Sequence, residues 1–331
     1  MGWSFMGTGT IATELMVEAV RSLGQSPLWV VSRSRTDAAH FAGDLGIPHS
    51  TTELDLVLQD PSVRFAYVSA GIERRPHYIT AVAGSRAHIL CDGPIARTSG
   101  QAGTLAALCK RTGTPLAINQ PLRASAIHQT MRRLILDGDI GAVRSVVIVR
   151  GGPYHAPPDR RRPDSRRGNG IHLDVSVGDI DLARFLTGTD PIEAIALDAP
   201  DGEAPTRLSY AIRLDEGCLF QAQESFDTVD LESMVLVAGD RGALIAHGTL
   251  SGRASGTLTR RADGRNEFVP VREHDLLLAT AREFAEAGDK EGSWLARGID
   301  SVIALQAVEA VAMAARKRRA VPIRGQARLP P

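Results

Sequence analysis

The stretch MGTGTIATEL, residues 6–15, decides the fold, because it joins a short apolar strand to an amphipathic helix through a glycine-rich turn. It follows the pattern GxGxxA, with Gly7, Gly9 and Ala12 at the three small positions. The first glycine permits a tight turn, the second lets the backbone approach a pyrophosphate, and the third allows close helix–strand packing. The helix amino terminus then faces the phosphate charge. The stretch predicts a dinucleotide site in a βαβ unit; the alternative is a purely structural glycine turn.

Outward from this stretch, the first 120 residues alternate apolar runs with helical patterns. The strand-like runs are WSFMG (3–7), LWVVS (28–32), FAYVSA (65–70), HILC (88–91) and LAIN (116–119). This alternation predicts a parallel, doubly wound sheet of the Rossmann type. Strand-like runs from about 192 to 270 predict an open, largely antiparallel sheet, and two helices close the chain. The expected fold class is α/β, with a Rossmann domain at residues 1–122 and a carboxy-terminal α/β domain at residues 123–331.

The composition excludes several classes of protein. The formal net charge is +0, which gives no reason to expect a nucleic acid or an anionic membrane as partner. Cys91, Cys109 and Cys218 lack CxxC spacing, so neither a disulfide framework nor a metal site is expected, and this usage fits a reducing cytoplasm. No apolar run approaches the roughly 20 residues of a membrane span, and the amino terminus does not read as a signal peptide. We therefore expect a cytoplasmic protein whose partner is a small-molecule substrate.

The end of the second strand indicates which dinucleotide is bound. A fold that prefers NAD usually places Asp or Glu there for the ribose hydroxyls. This sequence has Ser32, Arg33, Ser34 and Arg35 instead. A carboxylate would repel a 2′-phosphate, whereas a guanidinium binds it with two hydrogen bonds. The pattern favours NADP; the alternative is a pair of solvated surface arginines.

The segment HILCDGPIA, residues 88–96, ends a strand in the turn Asp92-Gly93-Pro94. With the motifs above, it resembles the family of glucose–fructose oxidoreductase, inositol dehydrogenase and MocA, in which the segment is usually V-L-C-E-K-P-L-A. Further similar segments follow in the family's order: SRSRTDAAHFAGDLGI (32–47), NQPLR (119–123), LILDGDIG (134–141) and GNGIHLDVSVGDIDLARFL (168–186). The resemblance covers nearly the whole chain. It implies a Rossmann domain, a carboxy-terminal α/β domain whose open sheet often mediates oligomers, and a nicotinamide cofactor between them.

The resemblance, the glycine-rich turn and the second strand together imply a set of cofactor-binding residues. They are Gly7, Thr8, Gly9, Thr10, Ile11, Ser32, Arg33, Arg35, Ser69, Ala70, Gly71, Asp92, Pro94 and Asn119. The resemblance also implies a homodimer or homotetramer that forms through the carboxy-terminal sheet.

The sequence departs from the family at the positions of its catalytic groups. The family's Glu-Lys-Pro reads Asp92-Gly93-Pro94 here, so glycine stands where a lysine would touch the reacting hydroxyl. The family's helical Asp and His, four residues apart, read Asp174 and Gly178. One subfamily's His-His reads Gln120-Pro121. The expected proton donor and its histidine partner are both absent, although a positioned acid typically contributes about 10²–10⁴ in rate.

Few residues can replace these groups. Asp174 matches a family site position, and we combine it with His172 or Tyr154 as the candidate catalytic set. His172 is alternatively a satisfied, half-buried histidine, and Tyr154 with His155 is alternatively packed in its loop. His172 lies two residues from Asp174, so it can join the site only where the chain before Asp174 is not yet helical. The arginine-rich loop 159–167 either closes over an anionic substrate or is solvated.

Three functions are compatible with this pattern. The first is an NADP-dependent oxidoreductase with an altered catalytic set, acting on a small sugar-like, cyclic or imine substrate; an iminium is already activated and needs less help from a protein acid. The second is a redox-neutral enzyme on the same fold. The third is a non-catalytic, cofactor-binding or regulatory homologue.

Overall fold

The computed structural model describes residues 1–8, 11–152, 169–201, 204–229, 231–287 and 292–323. The first sheet begins with six strands: β1 (Gly2–Met6), β2 (Ser26–Val31), β3 (His49–Thr51), β4 (Val63–Val68), β5 (His88–Asp92) and β6 (Leu116–Asn119). Their spatial order is β6-β5-β4-β1-β2-β3, and every neighbouring pair is parallel. The carboxyl ends of these strands therefore meet at one edge, where ligands bind in doubly wound sheets. The predicted Rossmann sheet is confirmed.

Helices connect these strands across both faces of the sheet. They are α1 (Ile11–Ser22), α2 (Arg35–Asp44), α3 (Leu54–Gln59), α4 (Arg75–Val82) and α5 (Ser99–Thr112). Helix α2 begins where it does because the Ser34 side chain accepts a hydrogen bond from the amide of Asp37 at 3.2 Å. This cap places Arg33 and Arg35 beside the amino terminus of the helix.

The second sheet follows two connecting helices, α6 (Pro121–Ala124) and α7 (Ala126–Leu136). Its first eight strands are β7 (Val143–Gly151), β8 (Pro191–Asp201), β9 (Ala204–Leu214), β10 (Leu219–Ser225), β11 (Met234–Gly239), β12 (Gly242–His247), β13 (Thr257–Ala262) and β14 (Arg265–Val269). Neighbouring strands are antiparallel apart from β7 and β10, which are parallel. The predicted open, largely antiparallel sheet is confirmed.

Helices cover one face of the second sheet. A π-helical turn (His172–Ser176) leads into α8 (Val177–Thr187). The long helix α10 (Gly298–Lys317), which follows α9 (Leu276–Glu286) in the chain, packs against α8. Helix α10 is apolar and long enough to cross a membrane by length and composition, yet 67% of its most apolar window is buried inside the protein. Strand β16 (Val321–Pro322) extends the sheet beside β8.

The carboxy-terminal part of the chain also returns to the first sheet. Strand β15 (Ala296–Arg297) pairs antiparallel with β6. Phe284 of α9 packs against Trp3 and Phe65, with ring centroids 5.8 and 5.4 Å apart. Both sheets therefore take residues from the end of the chain, and the boundary at residue 122 stays a prediction.

A buried ion pair joins the elements between the two sheets. Arg123 of α6 donates two hydrogen bonds to the carboxylate of Asp181 in α8, at 2.6 and 2.7 Å. Asp300 of α10 lies 3.6 Å from the same guanidinium. Both members of the Arg123–Asp181 pair are buried, so removal of either partner would leave an uncompensated charge. Asp181 is thus engaged in this structural bridge.

Candidate active site

The turn after β5 is built around the carboxylate of Asp92. The Tyr67 hydroxyl of β4 donates a hydrogen bond to Asp92 Oδ1 at 2.6 Å, and Asn119 Nδ2 of β6 donates to the same oxygen at 2.8 Å. Three adjacent parallel strands therefore place these groups at one edge. Burial, followed by the nearby Asp92 carboxylate, raises the pKa of Tyr67 well above its usual value, so the phenol stays protonated and acts as a donor.

Tyr67 was missed by the sequence analysis, because a tyrosine in an apolar strand gives no signal of its partner on the next strand. Arg75 of α4 was missed as well, because nothing near it in the sequence indicates which carbonyl groups it contacts. It donates to the carbonyl oxygens of Ala70 at 2.9 Å and Pro94 at 2.7 Å, and so joins the turns after β4 and β5.

The glycine-rich turn brings together residues from three strand ends. Gly7 has a φ of +116°, and a Cβ atom there would lie 2.7 Å from the backbone nitrogen and Cα of Ala70. Glycine is therefore required both by conformation and by the close approach of the next turn. Thr8 Oγ1 donates to Ser32 Oγ at 3.4 Å, and Ser69 Oγ lies 2.6 Å from Thr13 Oγ1. The predicted residues Gly7, Thr8, Ser32, Ser69 and Ala70 thus converge.

Gly9, Thr10 and the side chain of Ile11 lie outside the described residues. Asp92, Pro94 and Asn119 lie at the ends of β5 and β6, at the same carboxyl edge of the sheet. Gly71 follows Ala70 directly.

These residues fit a dinucleotide. The tight approach of Gly7 to Ala70 brings the turns after β1 and β4 together, and a side chain on Gly7 would force them apart. Asn119 Oδ1 is buried and has no hydrogen-bond partner among the described residues, so an acceptor is available at the far end of the same edge. Gly7, Thr8, Ser32 and Asn119 would hold the cofactor, which supplies a hydride when it is bound.

Arg33 and Arg35 are exposed at the end of β2. In the part of the chain that the structure describes, neither guanidinium forms an ion pair or a hydrogen bond. Two arginines beside a helix amino terminus provide positive charge at the end of β2.

The three candidate catalytic residues are not brought together with the Asp92 turn by any contact among the described residues. Asp174 accepts hydrogen bonds from the backbone amide and the Nδ2 of Asn169, at 2.7 and 2.9 Å. Tyr154 lies outside the described residues, as does the arginine-rich loop.

His172 faces away from Asp174. Its neighbouring charges are Asp198 of β8 and Arg316 of α10, and burial lowers its pKa. The backbone is already helical from Ile171, and residues two apart on a helix point about 160° apart. The condition for His172 to join Asp174 is therefore not met in this structure. The catalytic roles of Asp174, His172 and Tyr154 stay predictions.

A buried carboxyl pair lies beside Gly178. Asp179 of α8 forms an ion pair with Arg150 at 2.9 Å. Glu224 of β10 accepts hydrogen bonds from the Tyr210 hydroxyl at 2.7 Å and from the Ser176 hydroxyl. Burial, then repulsion by Asp179, raises the pKa of Glu224 to about 8. The pair therefore retains a proton on Glu224 at neutral pH.

Comparison with known proteins gives matches along almost the whole chain. Residues 1–120 match the model of an oxidoreductase family with an NAD-binding Rossmann fold, and residues 128–245 match that of the GFO/IDH/MocA C-terminal domain. The chain is 30% identical to 1,5-anhydro-D-fructose reductase of Ensifer adhaerens over 329 residues, which cover 97% of this chain and 98% of that protein.

Two further proteins are similar. D-xylose 1-dehydrogenase (NADP(+)) 2 of Haloferax volcanii is 25% identical over 268 residues, 80% of this chain and 82% of that protein. The crystal structure of aldose-aldose oxidoreductase from Caulobacter crescentus, complexed with glycerol, has a TM-score of 0.86 at 21% identity, and the match covers 97% of this chain and 99% of that one. At this identity the structural likeness shows the fold.

Proposed function

Since this chain belongs to the GFO/IDH/MocA family of NAD(P)-binding oxidoreductases, we propose that it is an NADP-dependent member with an altered catalytic set. Its substrate is a small sugar-like, cyclic or imine compound. The observation that carries this proposal is the Asp92 turn: it keeps a carboxylate held by Tyr67 and Asn119 at the cofactor edge, but has glycine in place of the lysine.

The choice of NADP rests on Arg33 and Arg35, exposed beside the amino terminus of α2 without a carboxylate partner among the described residues. A 2′-phosphate would meet two guanidiniums there, whereas the ribose hydroxyls of NAD would meet no acid. The similar Haloferax volcanii protein carries NADP(+) in its name, which supports the same choice.

Calorimetry with NADPH and NADH at one salt concentration tests this part of the proposal. We expect tighter binding of NADPH, and we expect Arg33→Ala to weaken NADPH binding by roughly 1–3 kcal/mol, as for a lost hydrogen bond to a charged group. NADH binding should not change. The matched control is Arg64→Ala, an exposed arginine near the amino end of β4 and hence at the opposite edge of the sheet. Equal affinities for both nucleotides would reject the choice of NADP.

The substrate class rests on the similar proteins, which are named as acting on 1,5-anhydro-D-fructose, D-xylose and aldoses. We propose a cyclic, hydroxyl-bearing compound of this kind, or an imine of similar size. Without a lysine at residue 93 or a histidine at residue 178, an ordinary ketone or alcohol should react slowly. An iminium is the favourable case, because its reduction requires a hydride and no further proton.

The other two functions make different predictions. A redox-neutral enzyme would convert its substrate without net consumption of NADPH. A binding or regulatory protein would bind NADPH and convert none of these substrates. Absorbance at the NADPH band, followed together with chromatography of the substrate, separates the three.

We further propose that the protein forms a homodimer or homotetramer through the uncovered face of the second sheet. Ile195 and Leu197 of β8 and Leu219 of β10 are 52%, 70% and 46% exposed, next to a hollow of about 540 Å³. Exposed apolar patches of this kind mark association surfaces. Leu197→Glu should yield a smaller species in light scattering. We place the protein in the cytoplasm, where Cys91, Cys109 and Cys218, which form no disulfide among the described residues, would stay reduced.

A further inference from the structure

The side chain of Gln120 lies where a side chain at residue 93 would begin. Gln120 follows Asn119, the last residue of β6, and Asn119 pairs with Asp92 across the sheet. A Cβ atom built on Gly93 would lie 2.7 Å from Gln120 Nε2, 3.0 Å from Gln120 Cδ and 3.2 Å from Ile118 Cγ2. Real Cβ atoms essentially never lie within 3.0 Å of another atom, so a side chain at residue 93 requires the end of the Gln120 side chain to shift. The Gln120 carboxamide therefore occupies the place where a side chain at residue 93 would begin.

The backbone does not explain the glycine. Gly93 does not have a positive φ, so other amino acids can adopt its backbone conformation. The space around its Cα, taken up by Gln120, is the feature that distinguishes this position. Glycine at residue 93 and glutamine at residue 120 thus form a matched pair.

Gln120 has hydrogen-bonding capacity to spare. The residue is only 9% exposed, and its carboxamide has no hydrogen-bond partner among the described residues. The Gln120 carboxamide oxygen and nitrogen are not fully enclosed, so a ligand could reach them from the open side of the turn. A carboxamide offers two N–H donors and one acceptor oxygen. A largely buried group of this kind, beside the Asp92 carboxylate, is suited to a polar ligand.

Among the described residues, neither of the titratable neighbours Tyr67 and Cys91 replaces the lysine as an acid. The Tyr67 hydroxyl already donates to Asp92 and has a strongly raised pKa. Burial raises the pKa of the adjacent Cys91 thiol to about 12. The neutral carboxamide can orient an oxygen or nitrogen atom, but it cannot release a proton near neutral pH.

We propose that Gln120 is the substrate-contacting residue that takes the place of the missing lysine, with its carboxamide hydrogen-bonded to the reacting C=O or C=N group. This inference rests on the proposed function. For a carbonyl, the π bond breaks, carbon accepts the hydride that bound NADPH supplies, and oxygen takes a proton from water. For an iminium, carbon accepts the hydride, the π electrons become the nitrogen lone pair, and no proton is needed. The pair therefore favours substrates that are already activated.

The spatial part of the inference is tested without cofactor or substrate. Thermal unfolding is measured for wild type, Gly93→Ala, Gln120→Gly and the double variant. Gly93→Ala should lower Tm in the wild-type background and lower it markedly less in the Gln120→Gly background, because the carboxamide is then absent. Equal losses in the two backgrounds would overturn the inference. This result does not depend on whether the protein is an NADP enzyme.

The functional part is tested with NADPH and 1,5-anhydro-D-fructose on Gln120→Ala, Gln120→Glu and Gly93→Lys/Gln120→Gly. Gln120→Ala should raise KM about tenfold while the Kd for NADPH changes less than twofold; the exposed Gln101→Ala is the matched control. Gln120→Glu, which loses the N–H donors, should behave like Gln120→Ala towards this ketone. Gly93→Lys/Gln120→Gly, which restores an ammonium group at residue 93, should turn over at least tenfold faster than wild type.

The outcomes separate the two claims. Failure of wild type and of every variant in the functional test to bind NADPH would reject the proposed function. The unfolding result would still decide whether residues 93 and 120 are coupled. NADPH binding with an unchanged KM in Gln120→Ala, or no gain in the double variant, would overturn the role of Gln120 and leave the proposed function standing.

Discussion

Gly93 and Gly178 stand at the two positions where the family resemblance leads us to expect a lysine and a histidine, but their surroundings differ. The space at Gly93 is filled by the Gln120 carboxamide, which reaches over from the neighbouring strand. A Cβ atom on Gly178 would meet nothing within 4 Å among the described residues. The space at Gly93 is thus taken by a neighbouring side chain, whereas Gly178 leaves room on the helix face among the described residues. The same substitution at two site positions has different physical consequences.

Next to Gly178, the buried carboxyl pair of Asp179 and Glu224 holds a proton at neutral pH. Glu224→Gln would sharpen the comparison most. The pKa of Glu224 is raised in the folded protein, so this carboxyl stabilises the fold below its unfolded pKa, and that contribution is lost as pH rises towards about 8. Stability should fall by up to about 1.4 kcal/mol per pH unit in this window, and Gln should remove that part of the slope.

Urea unfolding of wild type and Glu224→Gln at pH 5, 6, 7 and 8 measures this slope. The exposed Glu286→Gln serves as the control, since it should leave the slope unchanged. Parallel pH profiles for wild type and Glu224→Gln would show that Glu224 is ionised throughout this range.

Two tyrosines allow a second comparison of the same two regions. Tyr67 donates to the Asp92 carboxylate at 2.6 Å, and Tyr210 donates to Glu224, which holds a proton at neutral pH, at 2.7 Å. Hydrogen bonds to charged groups contribute about 1.5–3 kcal/mol, and those between neutral groups about 1 kcal/mol. At pH 7, Tyr67→Phe should therefore reduce the free energy of unfolding more than Tyr210→Phe. The reverse order in urea unfolding would contradict this assignment of charge.

The smallest effects come from matched alanine substitutions at the two glycines. Gly93→Ala should destabilise by about 1 kcal/mol, because Gln120 and Ile118 must shift. Gly178→Ala should stabilise by roughly 0.5–1 kcal/mol, because it lies within α8, where its Cβ would meet no described atom and glycine is costly in a helix. Changes of the same sign at both positions would break the comparison.

The convergence of the turns after β1, β2 and β4 could be predicted from the sequence because it is formed by local backbone geometry. Gly7, Thr8 and Ser32 follow strands that the apolar pattern identifies, and parallel strands bring their ends to one edge. The two sheets were predicted for the same reason, since their alternation is visible in the chain itself.

The surroundings of Asp92 and Gly93 could not be predicted in the same way, because they depend on contacts between strands that are distant in the sequence. Nothing near Tyr67 in the sequence indicates that it bonds Asp92, and nothing near Gln120 indicates that it covers Gly93. Glu224 did give a signal: alternation along β10 places it on the same buried side as Phe220 and Ala222. The helical start at Ile171, which separates His172 from Asp174, was not visible in a segment that begins with two glycines.

We propose that the protein keeps the hydride-transfer half of the family's site and lacks its acid. The most direct test is kcat at saturating NADPH with 1,5-anhydro-D-fructose, on protein shown by calorimetry to bind NADPH. We expect tight NADPH binding with a kcat far below the enzyme median of about 10 s⁻¹. A kcat near that median would contradict this prediction, because the site would then contain an efficient proton donor.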